Sequence, residues 1–157
     1  MVGKLHNCID QLVGKKLEDI KLACQMIILN FDKVGIHFQQ FTRVSKNDDI
    51  LFTTLDYQSW DEKVDTNNDE KYFFDKYRSE IINGVVIKVI YNKFNDLTLI
   101  FDNGVVIETF VSNGYNHFVE EIEQWRLLVD TSDDESKHIV IYNKRAEIEW
   151  HYNKTFL

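Results

Sequence analysis

The chain has no proline, only two cysteines and only six glycines in 157 residues. Proline is usually about 5% of a sequence; without it no turn can rest on a cis peptide or a ring-fixed φ, so reversals fall to Gly, Asn and Asp. Cys8 and Cys24 are too few for a disulfide framework or a four-ligand metal site, and their apolar settings read as buried thiols in a reducing cytosol. Six unclustered glycines offer nothing to cradle a phosphate. No apolar run approaches the ~20 residues of a membrane helix, and residues 1–10 lack the continuous apolar stretch of a secretory leader. Cations are also scarce, 18 Lys and Arg against 26 Asp and Glu, for a net charge of −8. That balance argues against nucleic acid as a partner and admits a basic protein. One soluble, cytoplasmic domain over residues 1–157 is expected, without membrane contact.

What the chain does have is apolar patterning, with 44% hydrophobic and 13% aromatic residues. Leu5, Cys8, Ile9, Leu12 and Val13 recur at helical spacing, and Gly14 follows where a left-handed residue would end a short helix. Residues 17–31 fit either a helix or strands. A strand over residues 25–31 is preferred, because a return at residues 32–35 leads into a further strand over 36–44. Residues 50–57 then complete an antiparallel trio. A polar loop at 61–70 precedes a one-faced helix over 71–82, which Asn83-Gly84 ends.

Strands are predicted at 85–94, 97–101 and 105–110, an acidic loop at 130–136, and a last hairpin from 138–142 and 146–150. Helices lie outside long antiparallel runs, which predicts an α+β fold, mainly an antiparallel meander, with a short N-terminal helix and one helix near residues 70–83. Ile27, Leu29, Phe38, Leu51, Val89, Leu99, Phe101, Ile107, Trp125, Leu127 and Val140 are the expected core.

Asn103-Gly104 between apolar, β-branched runs is the strongest hairpin signal in the chain. A two-residue loop sets Phe101 opposite Val106 and Glu108 among apolar neighbours. A three-residue loop from Asp102 to Gly104 pairs Thr98 with Glu108 and turns Glu108 to a more polar face. In the first register Glu108 needs a partner, and Arg126 is the nearest candidate in sequence. A structural Glu108–Arg126 pair is preferred over a catalytic carboxylate.

No pattern of catalytic or metal-binding residues in the chain is complete. Asp65-Thr66-Asn67-Asn68-Asp69 begins like a calcium loop but has Glu70 where the turn glycine belongs and Lys76 where the bidentate Glu belongs. His117, Glu120 and Glu121 fit one helical face yet supply a single imidazole, so a polar helix face leading to buried Trp125 is preferred. No Gly-x-Ser-x-Gly elbow occurs, and neither cysteine has an activating context. No metal or cofactor is expected.

Residues 13–20, 26–31, Ile36-His37-Phe38-Gln39 with Arg43, Asp56-Tyr57, Asp102-Asn103-Gly104, Glu108, Phe110 and Glu123-Gln124-Trp125-Arg126-Leu127 together resemble an uncharacterised bacterial family of small cytoplasmic proteins. The family commonly reads Cys-Pro-Trp-Arg-Ile where this chain has residues 40–44, so Phe41 and Thr42 depart from its Pro and Trp. The resemblance implies an α+β fold and no established activity, and some similar small acidic proteins look like immunity partners encoded beside bacterial toxins.

The acidic balance, the acidic loops at 61–70 and 130–135 and the lack of a catalytic signature make the leading expectation a non-enzymatic binding protein, an immunity-type protein that neutralises a basic toxin domain. The alternative is a small-ligand-binding or hydrolytic domain whose groove is lined by His37, Gln39, Arg43, Asp56 and Glu108, with Arg126 as a further candidate contact.

Overall fold

The computed structural model describes residues 7–115, 117, 120–132 and 134–152. Eleven strands occur among them: β1 (Asp19–Ala23), β2 (Met26–Phe31), β3 (Val34–Phe38), β4 (Thr42–Lys46), β5 (Asp49–Thr53), β6 (Val86–Tyr91), β7 (Leu97–Phe101), β8 (Val105–Thr109), β9 (Trp125–Ser132), β10 (Glu135–Ile141) and β11 (Ala146–Tyr152). They form a six-stranded sheet, β1-β2-β3-β9-β10-β11, and a five-stranded sheet, β5-β4-β8-β7-β6, every pair antiparallel. A 3-10 turn (Thr54–Ser59) and the helix α1 (Asp69–Ile81) interrupt the strands. The α+β, mainly antiparallel fold read from the sequence is the fold observed.

Alternation builds the core. Ile27, Leu29, Ile36, Phe38, Trp125 and Leu127 point from the first sheet toward Val44, Phe52, Leu99, Phe101 and Ile107 of the second, and all are buried. Rings join the layers: Phe31 stacks on Phe101 at 6.5 Å, and Tyr91 meets Trp125 edge-on at 6.0 Å. The Trp125 indole donates to the Asn95 carbonyl at 2.9 Å. Of the expected core, Val89 is half-buried, and Val140 is fully buried but outside the main cluster, on the sheet face that carries Arg126.

One open side of the sandwich is closed by α1, where Phe74 packs edge-on against Phe52 of β5 and Arg78 reaches Asp19 on β1. Asn68 caps the helix by accepting from Lys71 N at 2.8 Å. Past the end of α1, residues 14–17 pair with the chain leading into β6, Gly14 N to Val86 O, Val86 N to Lys15 O and Leu17 N to Gly84 O. Of the predicted N-terminal helix, residues 7–10 are helical, while Leu5 lies outside the described residues.

The thiols are not the buried pair expected: Cys24 is exposed in the β1–β2 turn and Cys8 is half-buried. The ambiguous segment 17–31 is a hairpin of two strands, β1 and β2. The strand predicted over 36–44 is two strands in different sheets, so no trio forms: β3 pairs with β2 and β9, and β4 pairs with β5 and β8. The acidic segment 130–136 is mostly the paired ends of β9 and β10. Residues 120–124 form no helix.

The register of β7 and β8 is that of the three-residue loop, with Thr98 opposite Glu108 and Ile100 opposite Val106. Gly104 takes φ +83°, and a Cβ there would overlap Asn47 Oδ1, so this turn requires glycine.

Candidate functional site

The six residues singled out in the sequence fall into separate places. Arg43 on β4 lies opposite Glu108 on β8, and its Nε and Nη2 donate to Glu108 Oε2 at 2.9 and 2.6 Å. The expected Glu108–Arg126 pair is therefore wrong: the strand cross-over after β3 brings Arg43 into the second sheet beside Glu108. Arg126 is held in the first sheet. His37 and Arg126 are neighbours across β3 and β9, on the opposite outer face of the sandwich from Arg43 and Glu108. Asp56 accepts from Thr53 N at 2.7 Å and fixes the 3-10 turn. Gln39 is exposed after β3, its backbone N–H bonded to the Gln124 carbonyl. These side chains do not line one groove.

Around Arg126 the first sheet carries a dense polar network. Nε and Nη2 grip Glu123 at 2.9 and 2.6 Å, and Nη1 lies 3.0 Å from His138 Nδ1 and 3.4 Å from Glu149 Oε2. His138 also meets Ser136 Oγ at 3.1 Å and stacks on His151 at 3.9 Å. Burial, then the charges of His151 and Arg126, holds His138 below the usual imidazole range, and burial followed by Arg126 does the same to His37.

Donor atoms of His138, Glu149 and His151 lie within 4.8 Å of one another. A guanidinium nitrogen already lies against His138 and Glu149, so the chain's own Arg126 supplies the positive charge there. Arg126's place beside this cluster is not legible in the sequence, because β9 carries no clear strand signal and only its pairing with β10 brings His138 to Arg126.

The other polar concentration is the segment from the 3-10 turn into α1. Residues 54–75 hold seven acidic residues against two lysines. Its loop is bound to itself: Asp61 accepts from Lys63 N, Val64 N and Asn67 Nδ2 at 3.0, 3.2 and 2.7 Å. Trp60 Nε1 donates to Val64 O at 2.8 Å, and Asp69 N donates to Ser59 Oγ at 2.7 Å. These bonds hold the Asp61 carboxyl below its ordinary range, the Asn67 amide contributing most. Leu55, Val64 and Tyr72 are left exposed on the same segment, each more than half accessible. Asp65 to Asp69, which begins like a calcium loop, is the run that caps α1.

Glu121, expected on a helical face with His117, instead pairs with Arg145 at 2.6 Å. Among the described residues no helix is long and apolar enough to cross a membrane. No family model, no curated protein and no solved structure matches this chain.

Proposed function

We propose that the protein is a non-enzymatic binding protein that occludes a basic protein partner, as an immunity protein occludes a toxin domain. One observation carries this reading. The 54–75 segment combines most of the chain's excess negative charge with exposed Leu55 on the 3-10 turn, Val64 on the loop and Tyr72 on α1, and the loop between them is fixed by its own hydrogen bonds.

Each ingredient has a distinct effect on association. Uncompensated acidic charge steers a basic partner and speeds encounter. Exposed apolar and aromatic side chains supply the anchors that dominate interface energy. A loop ordered before binding avoids the entropy cost of ordering on contact. On the outer sheet faces Arg43 is engaged with Glu108 and Arg126 with Glu123, which suits a structural role for these four residues.

Co-expression with the product of the adjacent gene tests the proposal. The expected result is a stable complex whose association rate falls steeply with ionic strength. Glu62→Lys with Asp65→Lys should slow association by at least tenfold, and Tyr72→Ala should speed dissociation. A neighbour that forms no complex, or a complex indifferent to all three substitutions, overturns it.

A further inference from the structure

A cavity of about 650 Å³ opens between the β1–β2 turn, the 3-10 turn and the first turns of α1, at the base of the acidic segment. Leu22, Ala23, Tyr57 and Phe74 contribute to its wall, and Asn68 and Glu70 lie at the helix start. The volume is within the range of ligand pockets, roughly 300–1,000 Å³.

One wall group is left incomplete by the fold. Glu70 is only 3% exposed, and its Oε1 has no hydrogen-bond partner among the described residues. A buried acceptor without a donor keeps the full cost of its desolvation, so a donor supplied from outside is favourable. The cations around the cavity are already engaged: Arg78 pairs with Asp19, Lys21 lies 3.5 Å from Asp19, and Lys71 pairs with Asp75. Asp65 and Glu70 have no basic partner among the described residues, and Asp56 adds its negative charge nearby. What this wall lacks is a cation that carries N–H donors.

We propose that the cavity receives a lysine or arginine side chain of the basic partner, with Glu70 as its counter-ion, an inference that rests on the binding-protein reading above. The aliphatic stem packs on Leu22 and Phe74 while the charged end reaches the carboxyl. Burial pushes the free Glu70 carboxyl up to about 7. Entry of the cation therefore turns a partly protonated acid into a carboxylate: the O–H bond breaks, the proton leaves to solvent, and Oε1 accepts an N–H from the ligand.

The experiment titrates arginine amide and n-butylammonium into the full chain at pH 7, with citrulline amide and n-butanol as uncharged counterparts, read by amide NMR shifts over residues 20–25 and 66–74. Saturable binding of the cations alone is expected, weakened at least tenfold by Glu70→Gln, whose thermal melt establishes that it folds. Ala23→Leu narrows the cavity without touching Glu70 and should weaken both cations. With the partner, calorimetry in buffers of different ionisation enthalpy should show proton release that Glu70→Gln abolishes. Cations that bind no better than their uncharged counterparts, or equally well to Glu70→Gln, overturn the proposal. A partner that binds parent and Glu70→Gln alike also overturns it, and leaves the acidic-surface reading in place. Cation binding lost in Glu70→Gln, with no partner complex at all, overturns the acidic-surface reading and supports cation recognition by the cavity.

Discussion

Arg43 and Glu108 face each other across β4 and β8, two arginine nitrogens sharing one carboxylate oxygen at 2.9 and 2.6 Å. Arg126 stands on the opposite sheet with Glu123. A double-mutant cycle between Arg43→Ala and Glu108→Ala should give a coupling of about 1 kcal/mol, since both groups are partly solvated. The cycle between Arg126→Ala and Glu108→Ala should give none. The Arg126–Glu123 pair is more enclosed, so Arg126→Ala alone should cost about 2–3 kcal/mol, and replacing both partners by apolar residues of similar volume should cost less. Urea unfolding of the six variants measures all of this.

The β1–β2 hairpin turns through Cys24 and Gln25, both at positive φ, 50° and 62°, with Ala23 paired to Met26. Two-residue turns of this kind favour Asn-Gly, because most side chains resist the left-handed region by about 1–2 kcal/mol. Replacing Cys24-Gln25 by Asn-Gly should raise stability by about 1 kcal/mol and the melting temperature with it. Thermal melts check this, and an unchanged or lower midpoint counts against the turn geometry.

That same turn explains what the sequence left ambiguous. Met26 to Phe31 is a short apolar run ahead of the return at residues 32–35 and is legible as a strand, and Leu97 to Phe101 is bounded correctly, because Asn103-Gly104 punctuates it. β1 was hidden, since Cys-Gln carries no turn signal and Leu17, Ile20, Cys24, Ile27 and Phe31 also fit a helical period. The continuous apolar and polar run from Ile36 to Val44 masked a change of sheet at residues 39–41, and with it the true partner of Glu108. β9 passed unrecognised because its acidic end looks like a loop, although Ser132 pairs with Glu135 where β9 and β10 meet. The candidate site suffered most, because His37, Arg126 and His138 become neighbours only through strand order, which no local pattern encodes.

His37 and His138 make stability depend on pH below neutrality. Burial and the nearby Arg126 charge lower both from the usual 6.5, with His151 acting on His138 as well. Unfolded histidines bind protons first as pH falls, so this contribution is fully present above about 6.5 and is lost as pH falls from there through the folded values. Urea midpoints between pH 7.5 and 5.5 should fall for the parent and fall less for His138→Asn, once the opposing Glu70 contribution is removed by placing Glu70→Gln in both backgrounds. Parallel curves in the two backgrounds would remove His138 from the account.

Glu70 acts with the opposite sign. Burial, aided by Asp56, raises its carboxyl from 4.5 to about 7, so between those values the folded chain holds a proton that the unfolded chain has released. Its contribution is most favourable below 4.5 and declines as pH rises through about 7, by roughly 3 kcal/mol in all, and is level from about pH 8. Glutamine keeps the shape and never ionises, so Glu70→Gln should be more stable than the parent at pH 8 and should lose the gap toward pH 5. Measuring unfolding free energy for both chains at pH 5, 6, 7 and 8 decides it, and a difference that does not change with pH would show that Glu70 titrates as an ordinary surface acid.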